Sequence, residues 1–241
     1  MNEGSTTLSD YLEFLVGLTA GGHDYFLEGG QAVNFWAEYL TSLGEKDALE
    51  RHRPFTSKDC DIWVGLMAMR YIEERNGSDF LKSESPADGQ IGILTLERNP
   101  LLQVDLLSNV FGLTRPELAQ VQKRCLVFEG LRVIDPLYLL KSKCYCFVNL
   151  PQGSRQDSKH VRMLSAIAPE YLMDKLNDAK SGKIFERAFI KEFKLLQKIL
   201  QDKTVNRAFD KLEIDPDGVL PTEQLDAEGM DLISEFLASL K

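Results

Sequence analysis

Residues 25–43, YFLEGGQAVNFWAEYLTSL, change character at the double glycine. Tyr25, Phe26 and Leu27 form a short apolar run of the kind a strand uses. From Gln31 the apolar positions Ala32, Val33, Phe35, Trp36, Tyr39, Leu40 and Leu43 follow the 3.6-residue period of a helix. The segment therefore reads as strand, Gly29-Gly30, helix. Glycines at such a junction let a ligand approach the backbone, and a helix N-terminus offers unpaired N–H groups with partial positive charge. Both features suit a phosphate. A lone double glycine is more often a turn, so its meaning depends on what surrounds it.

Downstream, Asp59-Cys60-Asp61-Ile62-Trp63-Val64 alternates as a strand. Asp59 and Asp61 leave one face about 6.6 Å apart along the chain, while Cys60, Ile62 and Val64 suit the core on the other. Two carboxylates on an otherwise apolar strand repel each other and lose hydration, so the pair sits at a wet strand end or binds a cation. Hard oxygen donors of this kind suit Mg²⁺ shared with phosphate oxygens. Asp105, in Gln103-Val104-Asp105-Leu106-Leu107, puts a third acid among apolar residues on a second strand. Three carboxylates on neighbouring strands meet the ligand requirement of a two-metal site. Ser57 is in phase with the aspartates and can donate to a phosphate oxygen. Lys58 falls on the opposite face and reads as a solvated loop residue.

Around this centre, residues 7–19 and 66–76 show helical periodicity. Residues 91–97 and 101–107, joined by Arg98-Asn99-Pro100, read as an antiparallel hairpin with Pro100 at the turn. Residues 125–128 and 131–134 bracket a Glu-Gly turn as another strand pair. Beyond Asp135-Pro136 the pattern becomes wholly helical, over residues 136–148, 155–167, 168–180 and 183–202. A tail follows, 203–241, with a Pro/Asp-rich turn and one apolar helix over 225–240. The expected fold class is α+β. A small mixed or antiparallel sheet forms a catalytic α/β domain over residues 1–135, and residues 136–241 form a helical domain with an acidic tail.

The 241 residues are 44% hydrophobic and 27% charged, with a formal net charge of −9, which argues against disorder and against a broad basic DNA-binding surface. The charge is uneven. Residues 201–241 carry ten acids and four Lys/Arg, whereas residues 141–162 carry five basic residues and one acid. That local excess of four supports a few contacts to a nucleotide or an RNA end. The apolar run 62–69 is far short of the roughly 20 residues a bilayer helix needs, and residues 1–10 lack the pattern of a secretory signal. Cys60, Cys125, Cys144 and Cys146 have no disulfide-framework spacing and read as free thiols, so the expected location is the cytoplasm. Cys144-x-Cys146 with His160 is not a zinc pattern. His160 alone on an amphipathic helix reads as structural, although it is a conceivable base. Residues 213–218 suggest a calcium loop, but the spacing puts Gln224 at the bidentate position and Pro216 intrudes, so a tight turn is expected.

Taken in order, LEGG (27–30), a helix, TSKDCDIWV (56–64) and VDLL (104–107) resemble the nucleotidyltransferase fold superfamily. DPLYLLKSKCYC (135–146) and GSRQDSKHV (153–161) are similar to its AbiEii-like branch, the toxin components of abortive-infection systems. The resemblance covers about residues 25–165. Two features depart from the pattern: the Gly30-to-Asp59 interval is longer than in compact members, and Asp157 is not adjacent to Lys159. The resemblance implies transfer of a nucleoside monophosphate from an NTP to a hydroxyl, on a tRNA end, a protein side chain or a small molecule. Asp59, Asp61 and Asp105 would be the catalytic, metal-holding residues for two Mg²⁺ ions, or Mn²⁺. Asp105 would also help deprotonate the acceptor. Gly29, Gly30, Ser57, Lys143, Arg155 and Lys159 would bind the nucleotide, and a cognate antitoxin is an implied partner. Two other readings share these residues. One is a non-catalytic nucleotide- or partner-binding module on the same fold; the other is Mn²⁺-dependent glycosyl transfer, which the double glycine and third acid fit less well.

Overall fold

The computed structural model describes residues 5–44, 47–84, 89–98, 101–222, 225 and 230–239. A short 3-10 turn and helix α1 (Leu12–Ala20) precede strand β1 (Tyr25–Glu28), which runs directly into α2 (Gly29–Leu43). Gly44 closes α2 in the left-handed conformation, at φ 113°, as a C-terminal glycine commonly does. There follow α3 (Asp47–Glu50), β2 (Cys60–Val64), α4 (Leu66–Asn76), β3 (Phe80–Lys82), β4 (Gln90–Leu96) and β5 (Leu102–Leu107). Helix α5 (Arg115–Arg124) and the pair β6 (Leu126–Phe128) and β7 (Leu131–Val133) complete the mixed half. The helical half comprises α6 (Pro136–Asn149), α7 (Asp157–Lys180), α8 (Glu186–Leu200), α9 (Lys203–Leu212) and α10 (Asp231–Ala238).

The strands form one sheet in the order β3-β4-β5-β2-β1-β7-β6. Pairs β1/β7 and β2/β5 are parallel; the others are antiparallel. The fold is therefore mixed α/β with a helical C-terminal region, as the sequence pattern suggests. The sheet is larger than a minimal core. Strand β2 lies in its middle, flanked by β1 and β5, so Asp61, with Asp59 just before the strand, sits at the centre of the sheet rather than at an edge.

One core joins both halves. Trp36 of α2 donates its indole N–H to the Ile134 carbonyl at 2.9 Å and meets Tyr171 of α7 edge-on, with ring centroids 5.7 Å apart. Burying aromatic area at such a junction favours one fixed arrangement of α2, α6 and α7. The start of α6 is tied in by Asp135, which accepts from the Leu137 and Tyr138 amides, both at 3.2 Å. Arg124 of α5 lies 3.6 Å from Asp135 and 2.5 Å from Glu192 of α8, bridging three helices.

Several elements depart from the sequence expectation. In place of the two helices expected over 155–167 and 168–180 there is one, α7, which begins at Asp157 and has Pro169 inside it. The proline removes a single backbone donor, and burial of Ile167, Ala168, Tyr171 and Leu172 carries the helix past it. Helix α9 lies within the expected tail. Asp202 caps its N-terminus, and Val205, Ala208, Phe209 and Leu212 are buried along one side. Helix α5 and strand β3 were not anticipated, although the Thr114/Glu117 capping box marks the start of α5. The apolar helix expected over 225–240 is described only as α10. Pro100 and Gln224 lie outside the described residues. All four cysteines are free, and no helix among the described residues is long and apolar enough to cross a membrane.

Candidate functional site

Strand register decides which acids meet. Asp61 of β2 pairs with Glu28 of β1 on one side and with Asp105 of β5 on the other. Residues directly opposite in neighbouring strands project from the same face. Three carboxylates thus form a row across the centre of the sheet. Glu28 is the member that sequence reading missed. The signal was an acid ending an apolar strand just before the double glycine, but its register against Asp61 is a tertiary fact.

Two cavities open on this row. One, of about 220 Å³, is lined by Gly30, Ser57, Lys58, Asp59, Asp61, Asp105, Lys143, Arg155, Asp157 and His160, among others. The other, of about 500 Å³, shares Asp61, Asp105, Lys143 and Arg155, and adds Glu28, Gly29 and the apolar Leu107, Phe111 and Leu150. The acids, glycines and Ser57 singled out by spacing therefore do come together, and Lys143 and Arg155 join them from the helical half. Lys58 is an exposed loop residue, as expected; β2 begins only at Cys60, so Ser57, Lys58 and Asp59 all precede the strand, and all three line the smaller cavity.

Gly29 is held at φ 66°, and a Cβ placed on it would fall within the Asp61 carboxylate. Both facts require glycine there, since a left-handed φ and a missing side chain are what glycine supplies at no steric cost. At Gly30 a Cβ would lie 2.5 Å from the Ser57 hydroxyl oxygen and 3.2 Å from Cε1 of His160. The double glycine thus serves close packing against the site as well as the helix start.

The electrostatics are those of crowded, poorly hydrated acids. Burial, then the neighbouring Asp59 charge, pushes the Asp61 carboxyl up to about 7; Lys143 opposes this, and Asp105 adds to it. Glu28 is also raised well above the ordinary carboxyl range, first by burial and then by Asp61, and its Oε1 has no hydrogen-bond partner. Asp105 accepts from the Gln103 amide at 2.7 Å. As the side chains stand, no three His, Cys, Asp or Glu residues among those described are gathered tightly enough to ligate one ion. The fit of these acids to a divalent cation rests on their hard oxygen donors and on repulsion that nothing nearby relieves fully.

On the helical side, Asp157 organises the cations. Its Oδ1 lies 3.5 Å from the Lys143 ammonium and its Oδ2 is 2.5 Å from Nε of Arg155. Burial works against this carboxylate, but Lys143 and Arg155 outweigh it and hold its pKa below the ordinary value. The expected basic cluster is only partly real. Lys141 turns away to Glu117, 2.6 Å from its Oε1. Arg162 is exposed. Lys159 is not brought to the cavity; its ammonium donates to the Pro54 carbonyl at 2.9 Å. Helical periodicity gives the face of a cation, but which acid captures it depends on elements far away in sequence.

His160 is buried at 4% exposure, and neither ring nitrogen has a hydrogen-bond partner. Burial, then Lys143, pushes its pKa well below the ordinary imidazole value, so the ring is neutral.

No family model and no curated protein matches the chain. Among solved structures, the crystal structure of an antigenic nucleotidyltransferase-like protein from Paracoccidioides brasiliensis aligns with a TM-score of 0.40 and 14% identity. The alignment covers 69% of this chain and 78% of that one. Likeness at that level carries no argument about function.

Proposed function

We propose that this chain is a Mg²⁺-dependent nucleotidyltransferase of the AbiEii-like kind. It would transfer a nucleoside monophosphate from an NTP to a hydroxyl and release pyrophosphate. The observation that carries the reading is one cavity bounded by Asp59, Asp61 and Asp105, by Gly30 at the start of α2, and by Lys143 and Arg155.

In this reading Asp59, Asp61 and Asp105 hold the cations, and Mn²⁺ suits the same oxygen donors. When bound, the metal would supply neutralisation of the phosphate charge. The other residues follow from their placement. Backbone at Gly29 and Gly30 admits the phosphates to the N-terminus of α2, where partial positive charge meets them. The Ser57 hydroxyl donates to a phosphate oxygen. Lys143 and Arg155, oriented by Asp157, present positive charge to the triphosphate or the acceptor. Asp105 accepts the proton of the incoming hydroxyl, on a tRNA end, a protein side chain or a small molecule. Lys159 has no part in this arrangement. Action as a toxin held in check by a cognate antitoxin belongs to the same proposal, as does a cytoplasmic location.

The test is incubation with each α-labelled NTP, Mg²⁺, bulk tRNA and cell lysate. Label should enter RNA or protein with wild type and not with Asp61→Asn. Metal-dependent NTP binding without transfer would instead identify a non-catalytic nucleotide-binding module. Consumption of a nucleotide sugar but no NTP would identify a glycosyltransferase.

A further inference from the structure

We infer that His160 is a phosphate-binding residue: its imidazole, the Ser57 hydroxyl and the first turn of α2 at Gly30 form an uncharged cradle for one phosphoryl group. The inference rests on the nucleotidyl-transfer reading and adds to it a recognition residue from α7.

Two sets of unmade hydrogen bonds face the same space. The first belongs to α2, a 15-residue helix whose N-cap, Glu28, makes no side-chain cap bond. The opening N–H groups of a helix have no partner within it, and here no capping side chain supplies one. The second belongs to His160. Both of its ring nitrogens are buried and unpartnered, although the ring lines the smaller cavity. A buried polar atom left unpaired costs about 1–3 kcal/mol, which is why buried polar atoms nearly always have partners. A histidine kept only for packing would gain by pairing at least one nitrogen or by giving way to an apolar residue.

The geometry brings the two sets together. Cε1, the carbon between the two nitrogens, lies 3.2 Å from where a Cβ on Gly30 would be, and Ser57 Oγ lies 2.5 Å from that same point. Glycine at position 30 is therefore what admits the imidazole edge and the hydroxyl to the first turn of α2. The cavity is lined by Lys58, Lys143 and Arg155 and by Asp59, Asp61, Asp105 and Asp157, so it takes an anion together with the cations that the proposed function assigns to Asp59, Asp61 and Asp105; α2 turns its positive end toward the same space. A neutral ring adds directionality without another charge: one nitrogen donates, and the other accepts from a protonated oxygen or a water. His160 follows Asp157 by one helical turn on α7, so the helix that orients Lys143 and Arg155 also delivers the imidazole.

Inorganic triphosphate with Mg²⁺ present is the probe, measured by calorimetry and by ¹⁵N resonances of the imidazole in the intact chain. There are three histidines, so loss of one signal set in His160→Gln assigns the ring. On titration the His160 nitrogens should shift as one becomes a donor to phosphate. His160→Leu should bind triphosphate about tenfold more weakly, the value of one neutral hydrogen bond. His160→Gln, which keeps a donor, should retain most of the affinity. The ring signal is read on wild type, so it stands even if a variant folds poorly. A stationary ring resonance, with unchanged triphosphate affinity in folded His160→Leu, would overturn the inference and leave nucleotidyl transfer intact. Wild type that takes up no triphosphate would overturn both.

Discussion

Replacing Asp61 by asparagine should stabilise the metal-free protein while abolishing its proposed activity. Asn is nearly the shape of a protonated Asp, so the substitution fixes the neutral form. In wild type the folded carboxyl titrates at about 7 rather than at its ordinary value of 3.8, because burial and Asp59 penalise the charge. Between those values the folded state holds a proton that the unfolded state has released, so stability falls as pH rises through the window and levels off above it. The displacement corresponds to an upper bound of about 4 kcal/mol. The opposing charges of Lys143 and Arg155 are already contained in that value; solvent reaching the carboxyl from the cavity and relaxation reduce it, so about 2 kcal/mol is expected, or roughly 4–8 °C in Tm for a chain of this length. The assay is urea and thermal denaturation of both proteins from pH 4.5 to 8.5 with a chelator present. The stability gap in favour of Asp61→Asn should widen up to about pH 7 and then hold constant. A gap independent of pH, or a less stable Asp61→Asn at pH 8, would refute the description of Asp61 as a partly buried acid that Lys143 and Arg155 compensate only in part. If the gap appears, loss of label transfer in the same variant cannot be ascribed to unfolding.

Gly29→Ala should destabilise by at least about 2 kcal/mol, combining the strain of a positive φ with displacement of the Asp61 carboxylate. Urea denaturation measures it, and a loss below 0.5 kcal/mol (about the scatter of surface substitutions) would contradict the geometry. Asp157→Asn should cost about 3 kcal/mol at pH 7, because it leaves the buried Lys143 without its acidic partner. The depressed Asp157 pKa means that its contribution is complete above the unfolded value near 3.8 and is lost as pH falls through the lower folded value. The deficit measured in thermal melts should therefore shrink as pH falls below about 4.

The parts of the site legible in the sequence are those written in local periodicity. Strand–Gly29-Gly30–helix, Asp59 and Asp61 two residues apart, and Asp105 among apolar residues each show as a break in a hydrophobic pattern, so the segments that carry the acids could be ordered from the sequence, whereas α3, β3 and α5 could not. Helix α9 was hidden because its polar face reads as tail, and its buried face has meaning only against α6. The break expected between residues 167 and 168 is absent because a sequence pattern cannot weigh the side chains, among them Ile167, Ala168, Tyr171 and Leu172, that are buried on both sides of Pro169.

By itself the sequence determined the fold class and singled out the three aspartates and the double glycine between strand and helix, since alternation and helical period depend only on neighbours along the chain. Tertiary structure decided who stands beside whom. Strand register brought Glu28 next to Asp61, Asp157 claimed Lys143 and Arg155, and Lys141 and Lys159 were drawn off to Glu117 and Pro54. The same packing left His160 buried and unpaired beside Gly30. Charge pairing and desolvation are set by distances between residues far apart in sequence, and only the folded chain fixes those distances.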